Sequence, residues 1–398
     1  MAETDTTARQ SGLPHGQQGR IVGVDMARAL ALFGMMATHL LPDTIDGEHV
    51  TWVQQLCGGR AAALFAVLAG VSLALVTARE THLGAARAGI VARAALICLL
   101  GLWLGGLDTG IAVILTYYAL LFVLGLPFLG LGWRALAGLT AAWAVLAPVV
   151  SHLVRQYLPE RSGGSPTISW LQQPVHLLSE LFLTGYYPAF PWLAYLLAGL
   201  ALGRLPLRRV SVAAGLTIAG AALALTAWAG SWNLLHPLGG IERLRATAPD
   251  SSPFDILSVG DALVRGLFGT TPTTSWWWLT TSAPHSGTPF DLFQTIGSAM
   301  VVLGLCLLLS HVAGRVTGVL FAAGGMTLTL YYLHLVGLHT EVGPPEGSTA
   351  LFWWHVAGAV LFGIFWSALV GRGPLETVAR SLSRRTRDLV VLASRRPD

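Results

Sequence analysis

The sequence predicts an all-α fold, a polytopic integral membrane bundle of about ten transmembrane helices with both termini cytoplasmic. Three observations lead there. Mean hydropathy is +0.62, only 11% of the 398 residues are charged, and the 54% apolar content falls in blocks of a span's length. Soluble domains carry about a quarter charged residues, whereas a helix crossing a bilayer needs ~20 consecutive apolar ones.

Windows of that length lie at 21–41, 60–78, 90–107, 111–129, 133–153, 187–203, 210–230, 291–310, 317–339 and 350–370. The opening twenty residues, "MAETDTTARQSGLPHGQQGR", are polar and lack the apolar core of a cleavable signal, so 1–19 is expected to be a disordered cytoplasmic tail. The first span, "IVGVDMARALALFGMMATHL", then doubles as the targeting signal. The sixth window, "YYPAFPWLAYLLAGLALGR", is short and holds Pro188 and Pro191, which points to a bent helix. The one long connection, 231–290, is expected outside the membrane. Its "TTSWWWLTTSAPHSGTPFD" carries tryptophans suited to the membrane interface, with room for short helices or a lid. The transmembrane domain thus runs from 20 to 372, and 373–398 reads as a basic cytoplasmic tail.

Arginine placement sets the orientation. No lysine occurs, so all 24 basic residues are arginine. With the N-terminus inside, inner segments hold Arg9, Arg20, Arg79, Arg87, Arg93, Arg134, Arg204, Arg208, Arg209, Arg315 and Arg372, and the C-terminal tail adds more on that side. Outer loops keep Arg155, Arg161, Arg243, Arg245 and Arg265, together with the acids Asp43, Asp46, Glu48, Glu341 and Glu346. This is the positive-inside pattern of an even number of spans. A pI near 9.2 is therefore a topology signal, and membrane lipid rather than nucleic acid is the expected partner. The three cysteines supply neither a disulfide framework nor a zinc site.

The first span raises the functional question, because it places Asp25, Arg28 and His39 in lipid. At ~100° per residue, Arg28 and His39 share one face, about 16 Å apart along the axis, and Asp25 lies three residues before Arg28. Ionisable groups inside a membrane are costly and by default mark a polar path or site. The expectation is one wet stripe bounding a crevice, with Arg28 low and His39 high. The plainer reading is a structural Asp25–Arg28 pair and an interfacial histidine.

Arg28, ten residues and His39 resemble the R-x10-H motif of the acyltransferase-3 group. "R-x3-V-D-x2-R-A-L-A-L-F-G-M" followed by "THL" is closer to bacterial relatives of heparan-alpha-glucosaminide N-acetyltransferase. "GRAAALFAVLAGVSLAL", "YYPAFPWLAYLLAGLALGR", "HSGTPFDLFQTIGSAMVVLGLCLLL", "GMTLTLYYLHL" and "GRGPLE" resemble further blocks of such proteins, in order, from Arg20 to Glu376. The resemblance implies a cell-membrane enzyme that moves an acyl group, acetyl among them, from cytoplasmic acyl-CoA to an extracytoplasmic glycan or lipid-linked acceptor. No metal is implied. It gives His39 the catalytic role and puts Arg28 on the donor side.

Acyl transfer needs a base, donors for a developing oxyanion and a seat for the donor's anionic head. Asp25 lies too far along the helix to orient His39, so a partner must come from elsewhere. Asp291 is the candidate orienter or acceptor contact, with helix capping as its plain role, and His334 is a second candidate catalytic group. Arg60 and Arg204 join Arg28 and Asp25 as donor-side candidates, although Arg60 also suits simple snorkelling. His285, Tyr117, Tyr118 and Tyr187 are candidate acceptor contacts, the tyrosines doubling as interfacial anchors. Gly70 and Ser72 read as small-residue packing. No phosphate loop, G-x-S-x-G or paired-carboxylate motif appears. The rival is a carrier or flippase for a polar or lipid-linked solute, and whether the chain forms a homo-oligomer is left open.

Overall fold

The structure is a computed structural model that describes residues 20–45, 49–78, 80, 82–159, 161–247 and 258–394. The expected tail 1–19, with Arg9, lies outside the described residues, as do Asp46, Glu48 and Arg79.

Every apolar window holds a helix. In chain order the helices are α1 (Val22–Leu40), α2 (Trp52–Cys57), α3 (Arg60–Thr77), α4 (Leu83–Gly105), α5 (Leu115–Gly125), α6 (Trp133–Arg155), α7 (Pro174–Ser179), α8 (Ala189–Gly203) and α9 (Val210–Leu235). They continue with α10 (Gly240–Ala246), α11 (Val259–Arg265), α12 (Pro289–Leu320), α13 (Thr327–His339), α14 (Thr349–Leu369) and α15 (Pro374–Ala393). A short antiparallel hairpin, β1 (Thr44–Ile45) with β2 (His49–Val50), follows α1. The chain is an all-α membrane protein. Six helical runs are long and apolar enough to cross a bilayer: Trp52–Thr77, α4, α6, α9, α12 and α14. Helices α5, α8 and α13 are shorter, and α1 is diluted by its own polar residues.

Helix α8 is buried almost all round, which fits its near-continuous apolar sequence. It crosses α3 with the two backbones in contact. A Cβ added at Gly199 would run into Val67 O, and one at Gly70 into Leu196 O. Gly70 is thus a packing residue, as expected. On the other side α9 lies along α12, and α1 fits between α3 and α12. Ala27, Ala29 and Leu32, which point to different sides of α1, are all fully buried.

Two segments and one residue, Trp278, depart from expectation. The connection after α9 forms α10, α11 and a 3-10 turn at Trp276–Thr280 around a small core of Leu244, Leu267 and Trp278. Trp278 is therefore buried instead of lying at the interface, while Trp276 stays exposed. The window at 291–310 continues to Leu320 with a kink at Ala313, so the turn to α13 falls at Ala322–Gly325. The segment read as a basic tail is the helix α15, which packs along α4 and ties Arg387 to Glu80. Its amphipathic pattern escaped a search for continuous apolar runs.

A candidate acyl-transfer site at two ends of the first helix

One end of α1 carries a knot of arginines. Asp25 sits in the first turn and, three residues before Arg28, shares its helix face. Its Oδ1 accepts from Arg28 Nη1 at 3.0 Å and its Oδ2 from Arg20 Nε at 2.8 Å. Arg28 Nη2 donates to Ser72 Oγ of α3, which in turn donates to Leu68 O. Ser72 is thus a partner of Arg28, beyond its expected packing role. Arg208 Nη2 donates to Arg20 O at 3.1 Å. Two guanidiniums on one carboxylate leave the knot positive, and Arg93 of α4 lies within electrostatic reach of Arg28. Such a cluster favours phosphate-like anions.

The other end holds the imidazoles. His39, the penultimate residue of α1, brings Nδ1 to 3.1 Å from His334 Nε2 on α13. The rings are 11° from parallel with centroids 5.4 Å apart. His334 Nδ1 in turn lies 3.2 Å from Nδ1 of His355 on α14. His334 is buried at 2% exposure, and His355 Nε2 is buried without a hydrogen-bond partner. Three helices therefore hand one contact line from α1 outward through the bundle wall.

His285 faces the same region and lies within electrostatic reach of His39. Its backbone is left-handed, φ 55°, a conformation that costs a side-chain-bearing residue energy unless its surroundings hold it. They do. Leu267 N donates to Pro284 O at 2.9 Å, and Gly269 N donates to His285 O. The start of α3 closes tightly as well, because a Cβ at Gly59 would sit 3.0 Å from His285 N. Burial, with Arg161 adding to it, pushes the His285 imidazole down to about 4, so the ring is neutral at neutral pH. It stacks parallel to Trp192 at 6.3 Å and meets Tyr187 edge-on at 5.6 Å.

Asp291 opens α12 beside this loop. Its Oδ2 accepts from Gly287 N at 2.9 Å, and its own N–H is capped by Thr288 Oγ1 at 3.1 Å. This is a capping box with the return bond landing one residue earlier than usual. Arg60 lies within electrostatic reach of Asp291 and donates to Gln55 O at 2.6 Å. Asp291 makes no described bond to His39, whose ring partner is His334.

The remaining expectations fall as follows. Tyr117, Tyr118 and Tyr187 are buried, so none is an interfacial anchor. Tyr118 donates to Ala62 O at 2.9 Å, and the Tyr117 hydroxyl accepts from Tyr186 N at 3.4 Å. Tyr187 forms the wall beside His285. Arg204 donates to Ala74 O, Thr77 Oγ1 and Leu129 O, which makes it a tie across helix ends. The open crevice expected between Arg28 and His39 is not there. Arg28 turns to α3 and His39 to α13, and between them on that face Leu32 and Met35 are buried at 0% and 5% exposure. A stripe defined by its two polar ends says nothing of what fills its middle.

Sequence reading passed over His355 and the role of Glu376. For His355 the available signal was an ionisable residue inside an apolar run, the same signal that marked His39.

A family model described as heparan-alpha-glucosaminide N-acetyltransferase, catalytic, matches residues 20–236. That is more than half of the chain. The protein belongs to the heparan-alpha-glucosaminide N-acetyltransferase catalytic family. Membership makes it a membrane N-acetyltransferase by family, of a group with acetyl-CoA as donor. The matched region carries Asp25, Arg28, His39 and Arg60, whereas His285, Asp291, His334 and His355 lie beyond it. No curated protein matches the chain.

Proposed function

We propose that this chain transfers an acetyl group from cytoplasmic acetyl-CoA to an amine or hydroxyl of an extracytoplasmic glycan or lipid-linked acceptor, with His39 as general base. In this reading ten helices cross the cell membrane and both termini are cytoplasmic, which puts the arginine knot inside and the imidazoles outside. The positive-inside distribution of arginine supports that orientation.

The observation that carries the reading is the His39–His334 contact. In the tautomer where His39 Nδ1–H donates to His334 Nε2, the basic Nε2 of His39 is left for the acceptor's proton. Arg20 and Arg28 then seat the phosphates of the donor's nucleotide head, which suits their excess charge over Asp25. The donor's thin pantetheine arm must pass the Leu32–Met35 face, and flexible methionines at 35 and 36 are side chains that can repack around it. In this reading Arg60 favours the developing oxyanion, and Asp291 accepts from the incoming acceptor. Trp192, Tyr187 and His285 offer a sugar the aromatic wall that its C–H face packs against. A glucosamine-like amine is the first acceptor to try, because that is what the family's name carries.

The experiment is acetyl-CoA turnover by purified His39→Ala protein with glucosamine as acceptor. Loss of transfer in a correctly inserted, monodisperse variant is expected, by a factor of roughly 10²–10⁴ as for other general bases. Unchanged turnover would overturn the assignment, and solute transport into liposomes without any acyl donor would favour a carrier.

A further inference from the structure

We infer that His355 is the far end of a three-imidazole proton relay, His39–His334–His355, which stores the acceptor's proton on α14 while the acyl group moves. The inference rests on His39 being the base. It adds a residue that neither the sequence motifs nor the family match touches, since His355 lies well beyond the matched region.

The geometry of the first contact is specific. The 5.4 Å between the His39 and His334 centroids is what one N···N distance of 3.1 Å and two in-plane ring radii add up to, and the rings are 11° from parallel. The hydrogen bond therefore lies in the plane of both rings, along their lone-pair directions, where a proton crosses with least rearrangement. The second contact, His334 Nδ1 to His355 Nδ1, is 3.2 Å between rings 87° apart with centroids at 4.7 Å. It is bent, so a hop there is coupled to a swing of the His355 ring. Space for that ring comes from the opposite helix, where Gly337 presents no side chain and a Cβ would stand 3.2 Å from His355 Cε1.

Tautomer bookkeeping fixes the direction. Each imidazole is both donor and acceptor only when neutral. If His39 keeps Nε2 open as base, its Nδ1–H donates to His334 Nε2, the Nδ1–H of His334 donates to His355 Nδ1, and His355 carries its single N–H hydrogen on Nε2. As the acceptor's N–H or O–H breaks, a proton forms a bond to His39 Nε2. The His39 Nδ1 proton passes to His334 Nε2, the His334 Nδ1 proton passes to His355 Nδ1, and His355 becomes the imidazolium. When the C–S bond breaks, both hops reverse and His39 Nε2 gives its proton to the departing thiolate. Acceptor and thiol balance, no outside proton is needed, and every ring returns to its starting tautomer. The positive charge spends the life of the tetrahedral intermediate on the third ring rather than beside the reacting atoms.

The test uses full-length protein, acetyl-CoA as donor, and glucosamine or water as acceptor, with thiol release as the readout. His355→Gln keeps a hydrogen-bonding group but cannot be protonated, and His355→Phe keeps the bulk. Both are expected to lower kcat about tenfold or more with KM for acetyl-CoA unchanged. Both should also flatten the curved dependence of kcat on deuterium fraction, the mark of several protons in flight, because one of the three transfers is lost. Wild-type kcat and curvature in His355→Gln would overturn the relay while leaving His39 as base. A fully active His39→Ala protein, or no turnover by the unaltered protein with either acceptor, would instead bring down the functional reading beneath it.

Discussion

Glu376 reaches back to Thr329 and satisfies the start of α13: its Oε1 accepts from Leu328 N at 2.7 Å and Thr329 N at 3.1 Å, and its Oε2 from Thr329 Oγ1 at 2.6 Å. The first N–H groups of a helix have no partner of their own, and a carboxylate there also meets the positive end of the helix dipole. The pairing fixes α15 to the helix that carries His334. Glu376→Ala is expected to destabilise the protein by about 1–3 kcal/mol, the cost of stranding such donors, with Glu376→Gln in between. Thermal unfolding in detergent, with proteolysis at the α15 arginines, reads it.

The Asp25 carboxylate holds two guanidiniums at once. Its side chain is 12% exposed, whereas Arg28 and Arg20 keep 26% and 40%, so removing it leaves two partly solvated positive charges facing one another. Asp25→Ala is expected to cost about 1–2 kcal/mol, the range for losing hydrogen bonds to a charged group. Arg28→Ala removes a charge that the carboxylate can partly do without, because Arg20 remains. It is expected to fold and to raise KM for acetyl-CoA roughly tenfold with little change in kcat, the signature of lost ground-state binding.

His285 gives the connection before α12 a pH dependence of definite sign. Its imidazole titrates at about 4 in the folded protein, against about 6.5 in an unfolded chain. The unfolded state therefore binds the proton first as pH falls. Stability contributed at this position is complete above about pH 6.5 and falls by at most about 1.4 kcal/mol per unit toward pH 4, below which both states are protonated and the loss stops. Comparing His285→Gln with the parent at pH 7 and pH 5 isolates this share. The parent should lose more on acidification, and identical losses would refute it.

Replacing Gly199 tests the helix crossing. A side chain there meets the carbonyl of Val67, and backbone cannot yield as a side-chain tip can. Gly199→Val is expected to abolish a monodisperse product on size-exclusion chromatography, whereas Gly138→Val, with open space around it, should purify like the parent.

Local periodicity carried far in this chain. The Asp25–Arg28 pair follows from three-residue spacing alone, and the apolar windows landed on helices because bilayer thickness dictates their length. Arg60, His285, Asp291 and His334 lie toward the end of the bundle that holds His39. Their pairing was not legible. His39 meets a histidine 295 residues away, and nothing in either helix announces the other. Asp291 looked like an orienter because it is acidic and at the right depth, yet its oxygen is used within four residues by Gly287 N. Tyr118 looked interfacial by position and proved buried, because α3 offers it the carbonyl of Ala62. α15 was missed for a different reason: an amphipathic helix dilutes the hydropathy that marks a span.

The backbone contact between Gly70 and Gly199 also constrains how the enzyme breathes. Helices locked at carbonyl distance slide poorly, so α3 and α8 are fixed to each other as one half of the bundle. Arg60, at the head of α3, belongs to that fixed half. Any opening of the bundle that admits a substrate must then carry α8 along with Arg60.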